Sequence, residues 1–393
     1  MTLTQVKRLM MSPRLLKNKQ KILLLLIAAL SIGIAITPGF IFKGLLYREA
    51  DIDDYKIFNN RTVKAGDYQP WQIDSAYNFI QLPEEFRKLI LDRKTVAFLV
   101  IQDGKIKYEE YWDGYDSVSY SNSFSMAKGI VSLLVGVAID EGFIKSVDQK
   151  VGDFLQSFRR SDKSEITVRD LLTMSSGLEW DEAYSSLFAP NTQMYYGNDL
   201  EKIVNSLELV SPPGKTFNYQ SINSEVLAMV LETATGKTIS EYASEKFWIP
   251  MGAQKDALWS LDKKDGLEKA FCCFNSNARD FARWGQLVLN HGNWNGKQLI
   301  SQNYLREATS PASYLIDENG KPLNFYGFQY WIFYHNGDTI PYMRGILGQY
   351  VYSIPSKNAV VVRLGHERDR EYIENYTKDV ADYVQAAYFI LNQ

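Results

Sequence analysis

The chain has 393 residues, 46% of them hydrophobic and 23% charged, an ordinary globular composition that excludes a disordered or fibrous protein. Seven Lys and Arg residues lie in the first 43 positions, before any acid, and the remainder, with 36 bases against 46 acids, carries a formal charge of −10. A body this acidic argues against nucleic-acid binding. Three scattered histidines argue against an HExxH-type zinc site, so we expect neither a metal nor an organic cofactor.

The N-terminal region contains one long uncharged run, residues 22–42, whose 21 positions would span about 30 Å as a helix. Bases precede this run and acids follow it, so the positive-inside rule predicts a short cytoplasmic N-terminus at 1–21 and a single transmembrane anchor at 22–42. The alternative is a cleaved signal peptide, but the run exceeds the usual apolar region of one. We therefore expect a single-pass protein of the cytoplasmic (inner) membrane, with its working domain in the periplasm or outside the cell.

The exported part is expected to consist of a lead-in at 43–74 and one domain at 75–393. Two β-rich runs, 95–102 and 105–112, are joined by Asp103-Gly104, a pair that favours a type I′ hairpin. Further strands are predicted at 327–334, 348–354 and 359–364, and helices at 126–140, 168–173, 223–233, 239–247, 278–289 and 369–391. This order predicts an α+β fold in which both chain ends build an antiparallel sheet, flanked by helices, with an all-helical lobe inserted between them.

The first candidate for chemistry is Ser125-Met126-Ala127-Lys128, because Ser-x-x-Lys places both side chains on one helical face. A buried lysine with a depressed pKa can accept the proton of a serine nucleophile. The motif recurs at Ser260-x-x-Lys263, where neighbouring charges indicate a solvated loop. Ser125 instead opens an apolar helix, although a surface lysine beside a helix-capping serine is the alternative.

Two weaker candidates lie further along the chain. Tyr219 follows a Pro-Gly turn and precedes a predicted helix, where a phenol in a cleft can act as phenolate or as a shared-proton base. With 25 tyrosines in the chain, position alone favours an ordinary packing role. The stretch from Arg344 to Tyr350 places glycines beside a strand, which permits close approach of a substrate and an oxyanion-binding amide; a bulge or turn is the alternative.

Taken together, a strand hairpin, Ser-x-x-Lys, Tyr219-x-Ser221 and a Gly-rich strand edge resemble the serine β-lactamase-related superfamily, in its class C-like branch of family VIII esterases and 6-aminohexanoate-dimer hydrolases. Stretches at 171–178, 277–285 and 348–355 also match, and the resemblance covers about residues 75–390. It implies a β-lactamase/transpeptidase-like fold. It also implies Ser125 as the acylated nucleophile, Lys128 and Tyr219 as the proton-handling pair, and the amides of Ser125 and Ile346 as the oxyanion hole.

The resemblance further implies a substrate-binding set around the nucleophile: Ser221, Gly345, Tyr195, Tyr196 and Asn275. The chain departs from penicillin-recognising enzymes in one important place, since Met343-Arg344-Gly345 replaces the Lys-Thr-Gly of the edge strand. An ester or amide is therefore favoured over a β-lactam as substrate, unless Arg344 points inward. The adjacent Cys272 and Cys273 are expected to form a small buried pair rather than a disulfide.

We therefore expect an extracytoplasmic serine hydrolase that acts on a small-molecule or peptide-like ester or amide through an acyl-enzyme at Ser125. One alternative is a sensor or cell-wall binding module that deacylates slowly or not at all. A second alternative is a D-alanyl carboxypeptidase or β-lactamase, which the missing Lys-Thr-Gly argues against.

Overall fold

The computed structural model describes residues 21–24, 37–159, 162–184 and 186–393. The middle of the predicted membrane anchor, residues 25–36, lies outside these ranges, so the anchor stays a prediction. Within the described ranges, no helix has the length and apolar character needed to cross a bilayer. The end of the uncharged run belongs to the short helix Gly39–Tyr47, which packs against the helix Pro190–Tyr196 of the domain.

The described helices surround a large sheet and form the lobe that contains most of the candidate site. In chain order they are α1 (Gly39–Tyr47), α2 (Glu84–Asp92), α3 (Ala127–Asp140), α4 (Val168–Leu172), α5 (Pro190–Tyr196), α6 (Leu200–Asn205), α7 (Ile222–Thr235), α8 (Ile239–Ala243), α9 (Ala278–Leu289), α10 (Gln302–Ala308) and α11 (Lys378–Leu391). Side-chain caps define several of their starts: Thr167 and Asp170 form a capping box on α4, and Asn277 accepts from the Asp280 amide at the start of α9.

The strands form one large sheet and three small ones. In chain order they are β1 (Asn60–Val63), β2 (Gln72–Ile73), β3 (Thr95–Gln102), β4 (Lys105–Tyr111), β5 (Ser121–Asn122), β6 (Ala257–Ser260), β7 (Phe274–Ser276), β8 (Asn293–Trp294), β9 (Lys297–Gln298), β10 (Trp331–His335), β11 (Asp338–Gly345), β12 (Gln349–Ile354), β13 (Ala359–Gly365), β14 (Tyr372–Ile373) and β15 (Tyr376–Thr377). The large sheet has the order β10-β11-β12-β13-β3-β4-β2, and a four-stranded sheet has the order β1-β6-β7-β5.

The centre of the large sheet joins the two ends of the domain, as predicted. β3 pairs antiparallel with β13, with Val100 opposite Val361, and it pairs with β4 on its other side. Apolar residues cover both faces of β3, because α9 packs against one face of the sheet and α11 against the other. This arrangement explains why β3 is a continuous apolar run rather than an alternating one.

The predicted elements agree with the structure for the most part, with two informative differences. Asp103 and Gly104 both have positive φ, as the hairpin prediction requires. The C-terminal helix was predicted from residue 369, which is wrong: the β14–β15 hairpin precedes it, and the helix begins at Lys378. The predicted strand 327–334 begins only at Trp331, because residues 327–330 form a turn in which Gln329 has positive φ.

Candidate active site

The candidate nucleophile lies in a tight turn at the start of a buried helix. Ser125 is the middle residue of the 3-10 turn Phe124–Met126, which leads directly into α3. Phe124 has φ of 44°, a conformation that costs energy in a bulky residue, and the side chain of Asn122 holds its amide at 2.9 Å. Strain of this kind is concentrated at functional sites, and here it directs the Ser125 side chain into a cavity.

Lys128 faces Ser125 from the first turn of α3, as the Ser-x-x-Lys spacing predicts. Its Nζ lies 2.9 Å from Ser125 Oγ and donates to the carbonyl oxygen of Phe271 at 2.7 Å. The side chain is 1% exposed, and this burial lowers the pKa of Lys128 to about 8, although Glu182 and Glu225 act in the opposite direction. About a tenth of the amine is therefore neutral at pH 7, beside the serine hydroxyl, and this fraction rises with pH.

Tyr219 completes the group that the sequence predicted. Lys128 Nζ lies 5.3 Å from the centroid of the Tyr219 ring, and the neighbouring Ser125 acts to lower the pKa of Tyr219. Burial raises the pKa of Tyr219 well above its usual value, and the nearby Glu182 carboxylate acts in the same direction. The structure therefore favours a protonated phenol over the phenolate considered from the sequence, so Tyr219 is suited to relay or donate a proton.

The strand edge that the sequence singled out lies directly against the nucleophile turn. At Gly345, the last residue of β11, an added Cβ would come within 2.3 Å of the Ser123 carbonyl oxygen. Only glycine permits this approach, which brings Ile346 to the wall of the same cavity as Ser125. The Arg344 guanidinium stacks 3.5 Å from the ring centroid of Trp331, which packs on Tyr219, and it donates to the Asn375 carbonyl oxygen; Arg344 is not among the residues that line the cavity.

The structure adds Glu182 to the site, a residue that the sequence analysis missed. Its carboxylate accepts hydrogen bonds from the Ser221 amide at 2.7 Å and the Ser221 hydroxyl at 2.5 Å, and also from the Tyr184 hydroxyl. Ser221 therefore lies at the site, as predicted, but its hydroxyl is already bonded to this carboxylate. No motif in the sequence identifies Glu182, which lies between Trp180 and Tyr184.

Ser125 opens into a cavity of about 520 Å³. Its walls come from α1 and the residues after it, the loop and helix at 184–196, the nucleophile turn, and segments around residues 221, 271 and 346. Tyr195 and Tyr196 line it, and their contact with a substrate stays a prediction; the Tyr195 hydroxyl donates to Asp54 at 2.6 Å, so this residue presents mainly its ring. Among the described residues, no group of three or more His, Cys, Asp and Glu side chains is arranged to hold a metal ion.

Two interpretations made from the sequence need correction here. Asn275 does not line the cavity: it is buried in β7, and its amide donates to the carbonyl oxygens of Leu258 and Cys273. Ser260, which was assigned to a solvated loop, is fully buried in β6 and donates to Asn60. Both errors arose because the short sheet β1-β6-β7-β5 had not been recognised in the sequence.

Cys272 and Cys273 form a disulfide, contrary to the expectation of a reduced pair. Cys272 lines the cavity, and its neighbour Phe271 supplies the carbonyl that accepts from Lys128. The Trp259 indole donates to the Cys272 carbonyl oxygen at 3.1 Å. The disulfide therefore fixes the turn that positions a hydrogen-bond partner of Lys128.

Known proteins resemble this chain in sequence and in fold. The profile of the beta-lactamase family matches residues 86–380, well over half of the chain. The chain belongs to the beta-lactamase family. A curated relative of this beta-lactamase family member is the 6-aminohexanoate-dimer hydrolase of Paenarthrobacter ureafaciens, which is 27% identical over 286 residues, covering 69% of this chain and 72% of the relative.

Solved structures share the fold of this beta-lactamase family chain. A Bacillus anthracis protein named as a candidate 6-aminohexanoate-dimer hydrolase has a TM-score of 0.74 at 22% identity, covering 86% of this chain and 91% of the other. A family VIII carboxylesterase has a TM-score of 0.60 at 18% identity, covering 79% of this chain and 98% of the other. These likenesses confirm the resemblance stated from the sequence and the β-lactamase/transpeptidase-like α+β fold.

Proposed function

We propose that this chain is a serine hydrolase that cleaves an ester or amide bond through an acyl-enzyme on Ser125. The observation that carries the proposal is the contact of 2.9 Å between Ser125 Oγ and the amino group of Lys128, whose pKa is lowered to about 8 by burial. A neutral amine at this distance is within reach of the hydroxyl proton. The name of the curated 6-aminohexanoate-dimer hydrolase, which denotes an amide-cleaving enzyme, supports the same reaction class.

In the proposed reaction, Ser125 Oγ attacks the substrate carbonyl carbon and its proton moves to Lys128. The amides of Ser125 and Ile346 stabilise the negative charge on the carbonyl oxygen. The bond to the leaving alcohol or amine then breaks, and the leaving group takes a proton through the Tyr219 hydroxyl. Water attacks the resulting ester on Ser125, loses a proton to the same pair, and releases the carboxylic acid and the free serine.

We also propose that the N-terminal segment anchors this domain on the outer side of the cytoplasmic membrane. The support is the uncharged run 22–42, with bases before it and acids after it. This placement follows from the sequence pattern, and the hydrolase proposal does not depend on it.

The test compares the full chain in detergent with its Ser125→Ala variant, using a fluorophosphonate probe and p-nitrophenyl acetate. We expect the parent to be labelled and to turn over, and the variant to do neither. Labelling without turnover would mean that the protein is a slowly deacylating sensor and not a hydrolase. Absence of labelling in a folded parent would reject Ser125 as the nucleophile.

A further inference from the structure

The cavity at Ser125 has a wall that comes from outside the hydrolase domain proper. Helix α1 and the residues after it contribute Gly44, Arg48, Glu49 and Ala50 to the lining. Gly44 is buried against the loop and helix at 184–196, where an added Cβ would come within 2.9 Å of Leu187 Cδ2. The Tyr47 ring stacks on that of Tyr196, with centroids 6.2 Å apart. The lead-in is therefore an integral part of the cavity.

The opposite face of α1 is apolar and exposed. Phe42, Leu45 and Leu46, at helical spacing i, i+3 and i+4, lie away from the buried Gly44, and Leu45 and Leu46 are 56% and 72% exposed. Phe188, 77% exposed, follows Leu187, the residue against which Gly44 of α1 packs. Large apolar side chains are therefore exposed on α1 and on the segment that it contacts, both of which also contribute residues to the cavity wall.

The amino-acid sequence indicates that this apolar face of α1 contacts a lipid bilayer. The uncharged run 22–42 ends within α1, which begins at Gly39, so a membrane that holds the run would lie close to this helix. The polar residues Arg48 and Glu49 follow immediately and lie at the cavity edge, where a lipid headgroup region would meet them. An apolar helix face followed by charged residues is typical of a segment lying in a membrane interface.

The interior of the cavity is suited to a hydrocarbon chain. Phe124, Leu187, Phe271, Ile346 and Leu347 contribute apolar surface. The lining also includes Ser186, Asn191 and Thr192, and Ser221, whose hydroxyl is already bonded to Glu182. A volume of about 520 Å³ lies within the range of small-molecule sites, and apolar lining with few polar groups is their usual character. The charged lining residues Arg48 and Glu49 belong to the α1 wall at its edge.

We propose that this cavity binds the acyl chain of a membrane-borne ester or amide, which enters beside α1 and places its carbonyl at Ser125. The inference rests on the proposed hydrolase and narrows its substrates to lipophilic acyl compounds. Binding of the chain itself requires no chemistry, so it can be measured separately from turnover.

The first experiment measures kcat/KM of the full chain, reconstituted in phosphatidylcholine vesicles, for p-nitrophenyl esters from acetate to laurate. We expect kcat/KM to rise about threefold per added methylene until the cavity is filled. A Ser125-dependent kcat/KM that stays flat or falls beyond acetate would overturn the acyl-chain assignment and leave the hydrolase intact. If even acetate is not turned over, the hydrolase itself fails.

Binding without turnover separates the two proposals further. Ser125→Ala should still bind the fluorescent fatty acid cis-parinaric acid, and Ala50→Phe, which places an aromatic ring at the cavity wall, should weaken that binding by about tenfold. If the Ala50→Phe variant is folded by circular dichroism and binds the fatty acid as tightly as before, the fatty acid binds elsewhere. That result would contradict the assignment of the cavity as the acyl-chain site.

The membrane-facing entrance is tested by the double variant Leu45→Glu/Leu46→Glu. Both side chains are exposed, so the fold and the hydrolysis of soluble acetate ester should be unaffected. Hydrolysis of the laurate ester dissolved in vesicles should fall by about tenfold. Charged side chains at these positions would keep α1 out of the apolar part of the bilayer, where the ester is dissolved. Phe143→Glu, an exposed apolar residue just beyond the far end of α3, is the matched control. Equal hydrolysis of the laurate ester by the double variant and by the control would contradict the proposal that the substrate enters from the membrane beside α1.

Discussion

Lys128 is the side chain whose protonation state decides what the site can do. Its amino group is buried, which lowers its pKa to about 8, and of the two carboxylates that act to raise this pKa, Glu182 has the larger effect and Glu225 the smaller. As the pH falls below about 8, the fraction of neutral amine decreases and with it the capacity to accept the serine proton. Activity should therefore be lost on the acidic side of the pH profile.

We expect Glu182→Gln to shift the acidic limb of the kcat/KM profile to lower pH, by up to about one unit. The reason is that removal of a negative charge lowers the pKa of Lys128, so the neutral amine persists to lower pH. Steady-state hydrolysis of p-nitrophenyl acetate across pH measures the shift. Asp181→Asn, which removes an exposed carboxylate one position earlier, should leave the limb in place. A limb that moves upward in Glu182→Gln would contradict this account.

The disulfide between Cys272 and Cys273 offers a second test at single side chains. Because it fixes the turn whose Phe271 carbonyl accepts from Lys128, reduction should lower kcat/KM by roughly tenfold. The double variant Cys272→Ser/Cys273→Ser serves as the control, since a reducing agent has no bond to break there. An equal response of both proteins to the reductant would show that the effect does not come from this bond.

The residues of the candidate site differ in how well the sequence alone could predict that they belong to it. Ser125 and Lys128 were accessible because helical periodicity alone puts residues three apart on one face. Tyr219 and Ile346 needed the family resemblance, because nothing local relates them to Ser125. Glu182 and the Phe271 carbonyl were not predictable, since long loops bring them to the site and no spacing rule governs such loops.

Among the elements, β11 packs against the nucleophile turn at Gly345, where there is no room for a side chain. We expect Gly345→Ala to lower kcat by about 10²–10³, because the added methyl group pushes Ile346 and its amide away from Ser125. Ile346→Ala, which shortens the side chain but keeps the backbone amide, should lower kcat much less. Rates with p-nitrophenyl acetate and thermal melting of both variants provide the measurement. Similar losses in both variants would mean that side-chain contacts, rather than the amide, matter at this edge.

The elements themselves were predicted where local chemistry determines them. The Asp103-Gly104 hairpin and helix α9 agree with the sequence because turn residues and apolar periodicity specify them directly. The start of α11 was wrong because residues 372–377 form a small hairpin, in which Glu374 has positive φ, a conformation the sequence does not signal. The four-stranded sheet was missed because its strands are only two to four residues long.

Across the whole molecule, a buried ion pair ties the helical layer to the sheet. Arg279 at the start of α9 contacts Glu109 on β4, which also accepts from Tyr77 and Tyr111. Burial acts to raise the pKa of Glu109, but the hydrogen bonds from Arg279, Tyr111 and Tyr77 hold it below its usual value. A depressed pKa stabilises the fold above about pH 4.5, and this stabilisation is lost as the pH falls.

We expect Glu109→Gln to lower the free energy of unfolding at pH 7 by about 2–3 kcal/mol, because Arg279 loses its buried partner. Glu110→Gln, whose pair with Arg87 is more exposed, should cost less than about 1 kcal/mol. Urea unfolding at pH 7 and pH 4 measures both. The deficit of Glu109→Gln should shrink at the lower pH, and a deficit independent of pH would contradict the role of this carboxylate.

The pairing of β3 with β13 also governs when the protein can fold. β3 is a continuous apolar strand made early in synthesis, yet its partner lies near the C-terminus, so the sheet cannot close until almost the whole chain is available. Such distant pairing is slow, and an unpaired apolar strand is prone to aggregate meanwhile. We therefore expect chains truncated before β13 to accumulate as insoluble or proteolysed material. The nascent chain would depend on protection of β3 until synthesis of the C-terminal strand.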